Sequence, residues 1–535
     1  MKRRTFLKHG GIMQKILWSG ILLCFIVPVF LYSQMSSMKD VSAKIRSQRQ
    51  KSQKQILKEF VDFLSIPNVS ADRENIRKNA EFIKTMMEKR GIKARVMETG
   101  GNPVVYGEVI VPDAEWTLGF YAHYDGQPVD PKKWTDSRPF EPVFRPEKME
   151  AGTDFPKPIK AVPLPENYMD DWRLYARGSS DDKAAVMGLI AAFDMLKNSG
   201  IPLKNNLKFI FEGEEEAGST NLHSFLEKNK EILESDVLLV CDGPIYYSGD
   251  PTLFFGVRGI TTIQITVYGP NTSVHSGHYG NWAPNPAIRL ARLLSTMKDK
   301  NGKVLVKGFY DTVVPLTERE KEALRAIPPY DTQIMDLYGF SKPEREDLSL
   351  MESIQLPSLN INGIQSGWVG DQARTIIPSE AIASIDIRMV KDNDAGDLTR
   401  KIKDHIKEQG YHVIEDDPDQ KTRMTYPFIA QVITSERGYK ASRTSMDLPI
   451  SKCIIDTLGD FYGEDVVCIP SLGGSLPISF FNEILGAPTI GVPIANHDNN
   501  QHQPDENLRL GHLWQGVETF AALMLTSNKK NEDAI

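Results

Sequence analysis

The stretch TLGFYAHYDG, residues 117–126, joins a short apolar run to a histidine and an aspartate. A continuous apolar run of this length is typical of a strand that is buried on both faces, as in parallel α/β sheets. His123 and Asp125 follow the run directly, and Gly126 turns the chain at once. The stretch therefore predicts a strand whose carboxyl end presents polar side chains to a cleft, where open α/β sheets bind ligands.

Four further segments carry acidic residues or a histidine in comparable positions. They are GSSDDK (178–183), EGEEEAGS (212–219), VCDG (240–243) and NQHQPDEN (500–507). All but the last begin at or just after an apolar, strand-like run. Because parallel strands bring their carboxyl ends to one edge of a sheet, we expect these side chains to meet in one site.

The residue types in these segments favour a metal site. Imidazole and carboxylate ligands without a thiolate suit zinc, manganese or cobalt. Each segment also has an ordinary interpretation: Asp181 and Asp182 fit a helix start, and the acidic run 214–216 fits a solvated face. Three adjacent carboxylates at a strand end, however, repel one another unless a cation is present. One of them can bind a metal ion while its neighbour faces the reacting water, so the set predicts a metal-dependent hydrolase.

The bulk properties limit the class of protein. The chain has 535 residues, 41% of them hydrophobic, which predicts more than one domain. Its formal net charge is −7, and a nucleic-acid-binding protein is usually basic, so we expect no nucleic-acid partner.

The order of predicted elements indicates an α/β fold that is interrupted by an insert. Strands and helices alternate as in a doubly wound α/β domain up to about residue 256. From GITTIQITVYG (259–269) the order becomes β-α-β-β-α-β, ending in a strand from Tyr411, which suggests a ferredoxin-like module. The α/β pattern then resumes. We therefore predict a catalytic domain in two parts and an inserted domain, with bounds 40–256, 257–438 and 439–535.

The N-terminus predicts export. Basic residues in MKRRTFLKHGG (1–11) precede an apolar run over 16–32, which together resemble a signal of residues 1–34. RRTFLK (3–8) also resembles a twin-arginine motif, and Met13 is an alternative start that leaves an ordinary signal. A cleaved signal and a secreted or periplasmic protein are favoured over an uncleaved membrane anchor.

The motifs together resemble one enzyme family, that of zinc aminoacylase, carnosinase and carboxypeptidase G (peptidase family M-twenty). The resemblance covers roughly residues 50–530, with every motif in order. Its dipeptidase branch is the most similar, on HYDGQPVDPKKW (123–134), LYARGSSDDK (174–183), FEGEEEAGS (211–219) and HSGHYG (275–280). The resemblance implies a zinc-exopeptidase-type catalytic domain with a mixed, mainly parallel sheet, and makes the ferredoxin-like insert a lid and dimerisation domain.

The resemblance also assigns roles to individual residues. His123 and Asp242 would bind one divalent ion, Glu216 and His502 the other, and Asp181 would bridge them. Asp125 would orient His123, and Glu215 would be the general base for a hydroxide held between the two ions, which are zinc by expectation, with manganese or cobalt as alternatives. The residues implied for substrate binding are His275, which would reach the site of a partner subunit, together with Arg388, Gly474 and Ser475.

The resulting hypothesis is a homodimeric exopeptidase that hydrolyses dipeptides or short peptides, with no membrane association once the signal is removed. Two alternatives stay open. One is a deacylase of the same family that acts on N-acyl amino acids, and the other is a non-catalytic binding protein on the same fold. A panel of dipeptides and N-acyl amino acids distinguishes the dipeptidase from the deacylase. Metal analysis of the purified protein distinguishes the enzyme from the non-catalytic binding protein.

Overall fold

The computed structural model describes residues 37–146, 157–435 and 438–527. The predicted export signal of residues 1–34 lies outside these ranges. Within them, none of the helices combines the length and the apolar composition needed to cross a bilayer.

Fifteen α-helices are present in the described ranges. In chain order they are α1 (Met38–Leu64), α2 (Arg73–Arg90), α3 (Lys183–Asn198), α4 (Leu222–Lys228), α5 (Lys230–Leu233), α6 (Ser276–Tyr279), α7 (Pro286–Ser295), α8 (Glu318–Ala326), α9 (Asp331–Tyr338), α10 (Leu350–Ser353), α11 (Ala395–Glu408), α12 (Gln420–Thr425), α13 (Pro449–Tyr462), α14 (Ile478–Leu485) and α15 (Leu510–Met524).

Twenty-one strands occupy the same described ranges. They are β1 (Lys93–Met97), β2 (Val104–Val109), β3 (Thr117–His123), β4 (Val143–Arg145), β5 (Ile159–Lys160), β6 (Arg173–Tyr175), β7 (Asn206–Glu212), β8 (Val237–Val240), β9 (Thr252–Phe254), β10 (Gly256–Val257), β11 (Gly259–Tyr268), β12 (Val274–His275), β13 (Ser358–Gln365), β14 (Ile376–Ile377), β15 (Glu380–Met389), β16 (His412–Ile414), β17 (Ile429–Thr434), β18 (Ser442–Arg443), β19 (Val467–Ile469), β20 (Thr489–Gly491) and β21 (Asn507–Arg509).

The largest sheet has eight strands in the order β1-β2-β7-β3-β8-β20-β9-β19. Its centre, β7-β3-β8-β20, is parallel, whereas β1, β2 and the β20–β9 contact are antiparallel. This is the mixed, mainly parallel sheet that the fold class predicts. β20 comes from the C-terminal part of the chain, so the two ends of the sequence share one sheet.

Helices cover both faces of this sheet. On one face α1, α3, α13 and α15 pack together around the main apolar core. Helix α3 is buried over nearly all of its length, as expected for a helix that is apolar on every side. On the other face α4 and α14 pack on a second core that includes Phe225 and Phe481. The result is a three-layer α/β/α arrangement.

The inserted region forms a separate five-stranded sheet in the order β13-β15-β11-β17-β16. The first four strands are antiparallel and follow the ferredoxin-like order, with α7 and α11 packed on one face. The predicted last strand from Tyr411 is wrong in one respect. The short strand β16 is a parallel edge addition beside β17, and β17 completes the ferredoxin-like order. A stretch of only four residues, 411–414, is too short for sequence patterning to distinguish these two positions.

A small antiparallel sheet, β21-β6-β4-β5, lies beside the large one. It joins the segment before α3 to the segment before α15, because Leu174 pairs with Leu508. This pairing brings the C-terminal loop of residues 499–507 next to the loop of residues 177–181. It is the contact that positions the candidate site.

Candidate active site

Three neighbouring parallel strands end at the same edge of the large sheet. β3 ends at His123, β7 ends at Glu212 opposite it, and β8 ends two residues before Asp242. The strand ends therefore present polar groups to one cleft, as the sequence predicts.

The first cluster of possible metal ligands contains His123, Asp182 and Asp242. One ligand atom from each lies within 4.8 Å of the others. The Nε2 atom of His123 lies 3.8 Å from Asp242 Oδ2, and all three side chains are buried. Asp182 was not among the predicted ligands. Its side chain does not cap α3 but accepts a hydrogen bond from the backbone N–H of His123 at 3.2 Å.

The second cluster contains Asp181, Glu216 and His502, again with ligand atoms within 4.8 Å of one another. His502 Nε2 lies 3.1 Å from Asp181 Oδ2 and 3.2 Å from Glu216 Oε2. The His502 side chain is 47% exposed, so this cluster faces the open side of the cleft. A residue 286 positions after Glu216 thus reaches the same pocket.

Asp181 lies between the two clusters. Its Oδ1 atom is 2.9 Å from Nε2 of His123, and its Oδ2 atom is 3.1 Å from Nε2 of His502. The two oxygens of one carboxylate therefore contact one histidine of each cluster. Such a carboxylate can serve two metal ions at once.

Asp125 holds the surroundings of His123 in place. Its Oδ1 atom lies 3.4 Å from His123 Nδ1, the ring nitrogen that faces away from Asp181. The carboxylate also accepts hydrogen bonds from the backbone N–H groups of Glu215 and Glu216, both at 3.1 Å. Asp125 can therefore orient the imidazole and fix the turn that carries both glutamates.

The site contains more carboxylates than positively charged groups, and the pKa values of its residues reflect this excess. Burial raises the pKa of Asp242 to about 6, with the Asp181 and Glu216 carboxylates adding to the shift against the opposing effect of His123. Burial likewise raises the pKa of Glu215 well above its ordinary value. Hydrogen bonds to Asp181 and Glu216 raise the pKa of His502 to about 10. Two divalent cations would supply the missing positive charge, so the residues present fit a two-metal centre.

The acidic motifs are neither a helix cap at Asp181 and Asp182 nor a solvated face at residues 214–216. The aspartates at the start of α3 face the cleft instead of capping the helix. In the acidic run only Glu214 is used structurally, since it accepts hydrogen bonds from the Asn102 backbone and the Asn221 side chain. Glu215 and Glu216 belong to the cleft.

Two glutamines complete the surroundings and were missed from the sequence. Gln127 Nε2 donates to Glu216 Oε2 at 2.8 Å, and Gln501 Nε2 donates to Asp181 Oδ2 at 2.9 Å. Both stand beside a predicted ligand, in HYDGQ and NQHQ. Their position next to the motifs was the only signal in the sequence.

The residues predicted to bind substrate fall into two places. Arg388, on β15 of the inserted domain, donates from Nη1 to Ser475 Oγ at 3.0 Å, and Gly474 precedes that serine. These three lie together where the inserted domain meets the catalytic domain. His275 is exposed on β12, and its Nδ1 accepts from the Gly277 N–H at 3.0 Å. Among the described residues it makes no hydrogen bond or ion pair with either cluster.

Comparison with known proteins identifies the family of this chain. The sequence profile of peptidase family M20/M25/M40 matches residues 119–526. The Cys-Gly metallodipeptidase DUG1 of Saccharomyces cerevisiae is 26% identical over 492 residues, which cover 86% of this chain and 93% of that protein. The Beta-Ala-His dipeptidase of Homo sapiens is 26% identical over 434 residues, which cover 79% of this chain and 77% of that protein.

Solved structures share the same architecture. The M20 family metallo-carboxypeptidase Sso-CP2 from Sulfolobus solfataricus has a TM-score of 0.68 and 28% identity, and covers 88% of this chain and 98% of its own. Human carnosine dipeptidase 1 has a TM-score of 0.66 at 22% identity, covers 91% of this chain and 98% of its own, and supports the fold alone. The family profile spans well over half of the sequence and includes all five motifs. The chain therefore belongs to peptidase family M20/M25/M40.

Proposed function

We propose that this protein is a two-metal exopeptidase that hydrolyses dipeptides or other short peptides. The observation that carries the proposal is Asp181, whose two carboxylate oxygens contact His123 and His502 in two separate ligand clusters. Two relatives are a Cys-Gly metallodipeptidase and a Beta-Ala-His dipeptidase, and this supports dipeptides as the substrate class.

Under this proposal His123, Asp242 and Asp181 would hold one divalent ion, and Asp181, Glu216 and His502 would hold the other. The ions would supply Lewis acidity and a water molecule of lowered pKa. Zinc is the ion that the mixed histidine and carboxylate donors favour, with manganese or cobalt as alternatives. Metal analysis of the purified protein, and reconstitution of chelator-treated protein with each ion, decides among them.

Glu215 is the group proposed to move the proton. It precedes the ligand Glu216, and its backbone is fixed by Asp125. Burial raises its pKa well above that of an ordinary glutamate, which suits a group that first takes a proton from water and then donates it to the leaving amine. Asp125 keeps His123 in the orientation in which its Nε2 faces the cleft.

Arg388, Gly474 and Ser475 are proposed to bind the free carboxylate and backbone of the substrate. A guanidinium group pairs well with a carboxylate, and Ser475 already holds Arg388 by a hydrogen bond. A substitution at Gly474 would meet open space, so a ligand can approach the backbone there. Short substrates follow, because a carboxyl terminus must reach Arg388 while the peptide bond lies at the metal centre.

We also propose that the enzyme is a homodimer formed through the inserted domain. Edge strand β13 is exposed from Asn360 to Gln365, with Ile364 62% exposed, and an exposed apolar edge favours pairing with another chain. Trp282 and Val369 add exposed apolar surface on the same domain. In such a dimer His275 would stabilise the oxyanion in the partner's site.

Mixing two inactive variants tests this arrangement. Glu215→Gln lacks the base, and His275→Ala lacks the histidine that its partner needs. Random exchange of equal amounts gives half of the dimers one complete site, so about a quarter of wild-type activity returns. Absence of any recovery, with exchange verified by tagged subunits, contradicts the shared site.

The decisive test of substrate class is a panel of dipeptides and N-acyl amino acids assayed with zinc-loaded protein. We expect dipeptide hydrolysis that a chelator abolishes and added metal restores. Preference for N-acyl amino acids identifies a deacylase instead. Neither activity, in protein without bound metal, identifies a binding protein on this fold.

We also propose, from the predicted signal of residues 1–34, that the enzyme is exported and is secreted or periplasmic. Fractionation of cells that express the full chain, with N-terminal sequencing of the mature protein, tests both export and the cleavage point near residue 34. Retention of the apolar segment in the membrane fraction favours an uncleaved anchor.

A further inference from the structure

Glu506 is a fully buried carboxylate on the C-terminal loop, and no role in the reaction has been assigned to it. Its Oε1 atom accepts three hydrogen bonds, from the Ser180 N–H, the Ser180 hydroxyl and the Asp181 N–H, each at 3.0 Å. Its Oε2 atom accepts from Arg177 Nη1 at 2.7 Å and from the Gly178 N–H at 3.0 Å. One side chain thus binds four of five consecutive residues in the loop that ends at Asp181.

We infer that Glu506 is a positioning residue of the metal centre, which holds the backbone of Asp181 at the distance that its bridging role requires. The inference rests on the proposed two-metal site.

Contacts from Glu506 lead through Asp181 and back to the loop that carries Glu506. Glu506 binds the backbone of Asp181, and the carboxylate of Asp181 contacts His502, four residues before Glu506 on the same loop. Gln501 of that loop also donates to Asp181. A shift of the Glu506 carboxylate therefore changes the separation between the bridging ligand and a ligand of the second ion.

The electrostatics of the Glu506–Arg177 ion pair favour a role in positioning over one in stability alone. The Glu506 side chain is completely buried and that of Arg177 is 3% exposed. Removing two charges from water costs free energy that the ion pair alone often fails to recover. Here the carboxylate also satisfies three buried backbone N–H groups, which would otherwise lack partners in a loop. The arrangement fixes the loop, and metal coordination benefits from a fixed loop.

Neighbouring residues supply clean controls. Asp505 accepts from the Thr135 N–H and hydroxyl at 2.9 and 2.8 Å, so it anchors the same loop without contacting the Asp181 segment. Glu518, on α15, is also a buried glutamate paired with arginines, Arg46 and Arg49. Glu518→Gln therefore repeats the chemical change away from the centre.

The experiment measures Zn²⁺ affinity and stoichiometry of chelator-treated protein by competition with a chromogenic chelator, together with thermal unfolding of the metal-free form. In Glu506→Gln the amide nitrogen cannot accept a hydrogen bond, but it must face either the two donors on Oε2 or the three donors on Oε1. The loop therefore shifts. We expect Zn²⁺ affinity to fall about 10- to 100-fold at one site or both. Asp505→Asn and Glu518→Gln should change affinity by less than about threefold. Wild-type affinity in folded Glu506→Gln overturns the inference.

Ser180→Ala covers the case in which Glu506→Gln does not fold. It removes one of the five hydrogen bonds, and we expect a loss of Zn²⁺ affinity of about threefold to tenfold, with the metal-free protein still folded. An unchanged affinity in this variant contradicts the inference. Metal affinity is measured without substrate, so a wild-type protein that binds two ions but hydrolyses no dipeptide refutes the proposed substrate class and leaves the role of Glu506 standing.

Discussion

The candidate metal ligands and the proposed substrate-binding residues differ in how many contacts they make within the single chain. Each predicted ligand contacts another within the chain, and Asp125, Gln127, Gln501 and Glu506 hold the surrounding loops. By contrast, Arg388 has Ser475 as its hydrogen-bond partner, and His275 is exposed and, among the described residues, makes no hydrogen bond or ion pair with either cluster. The candidate ligands already contact one another, whereas the proposed substrate contacts would require closure of the inserted domain or a partner subunit.

This difference has a physical cause. Carboxylates that bind one cation must be held rigidly, because they repel one another before the cation binds. A small displacement of their oxygen atoms then changes the coordination of the metal. Residues that bind a substrate must first admit it, and the proposed substrate-binding pair Arg388 and Ser475 joins the inserted region to the catalytic region. Variants of the centre should therefore lose metal, and variants of the inserted domain should change substrate binding with the metal content intact.

The largest effect is expected for Asp181→Ala, because this carboxylate serves both clusters. We expect kcat/KM to fall on the order of 10³-fold or more, with fewer than two ions bound per chain. Elemental analysis of the dialysed protein measures the metal content. Asp62→Ala, an exposed carboxylate on α1, is the control and should keep two ions and full activity. Two ions in Asp181→Ala would contradict the bridging role.

Glu215→Gln should separate chemistry from metal binding. The amide cannot accept the proton from water, so we expect kcat to fall about 10²- to 10⁴-fold while two ions stay bound. Glu214→Gln is the adjacent control, since Glu214 contacts Asn102 and Asn221. Steady-state kinetics with metal analysis gives both readouts. Near-normal turnover in Glu215→Gln removes this residue from the role of base.

The sequence predicts much of the centre because the signal is local. An apolar strand followed at once by a histidine or an acid determines where the side chain emerges, as at His123 and Asp242. The contribution of Glu506 could not be predicted, because it depends on contacts with residues 325 to 329 positions away. β16 was misplaced for the same reason, since a short strand has no local sign of its partner.

Arg388→Ala tests whether the inserted domain binds the substrate carboxylate. Loss of a charge-assisted bond to the substrate carboxylate should raise KM about 10- to 150-fold, from the usual 1.5–3 kcal/mol of such bonds. Metal content should stay at two ions. Arg400→Ala, exposed on α11 of the same domain, should leave KM unchanged. A KM equal to that of the wild type in Arg388→Ala excludes this residue from carboxylate binding.

The smallest effect on the metal centre is expected from Ile364→Lys on edge strand β13. A charge on this exposed edge disfavours pairing with a second chain. Sedimentation velocity should show a shift from dimer to monomer, with unchanged Zn²⁺ affinity and reduced activity through loss of the partner's His275. Lys342→Glu, on an exposed loop of the inserted region, is the charge-changing control. A stable Ile364→Lys dimer places the interface elsewhere.

The most direct test of the proposed two-metal centre is anomalous X-ray diffraction from crystals of the zinc-loaded protein, recorded above and below the zinc absorption edge. We predict two zinc peaks, one on each side of the Asp181 carboxylate, with His123 beside one and His502 beside the other. A single peak, or a second zinc ion that Asp181 does not touch, would contradict it.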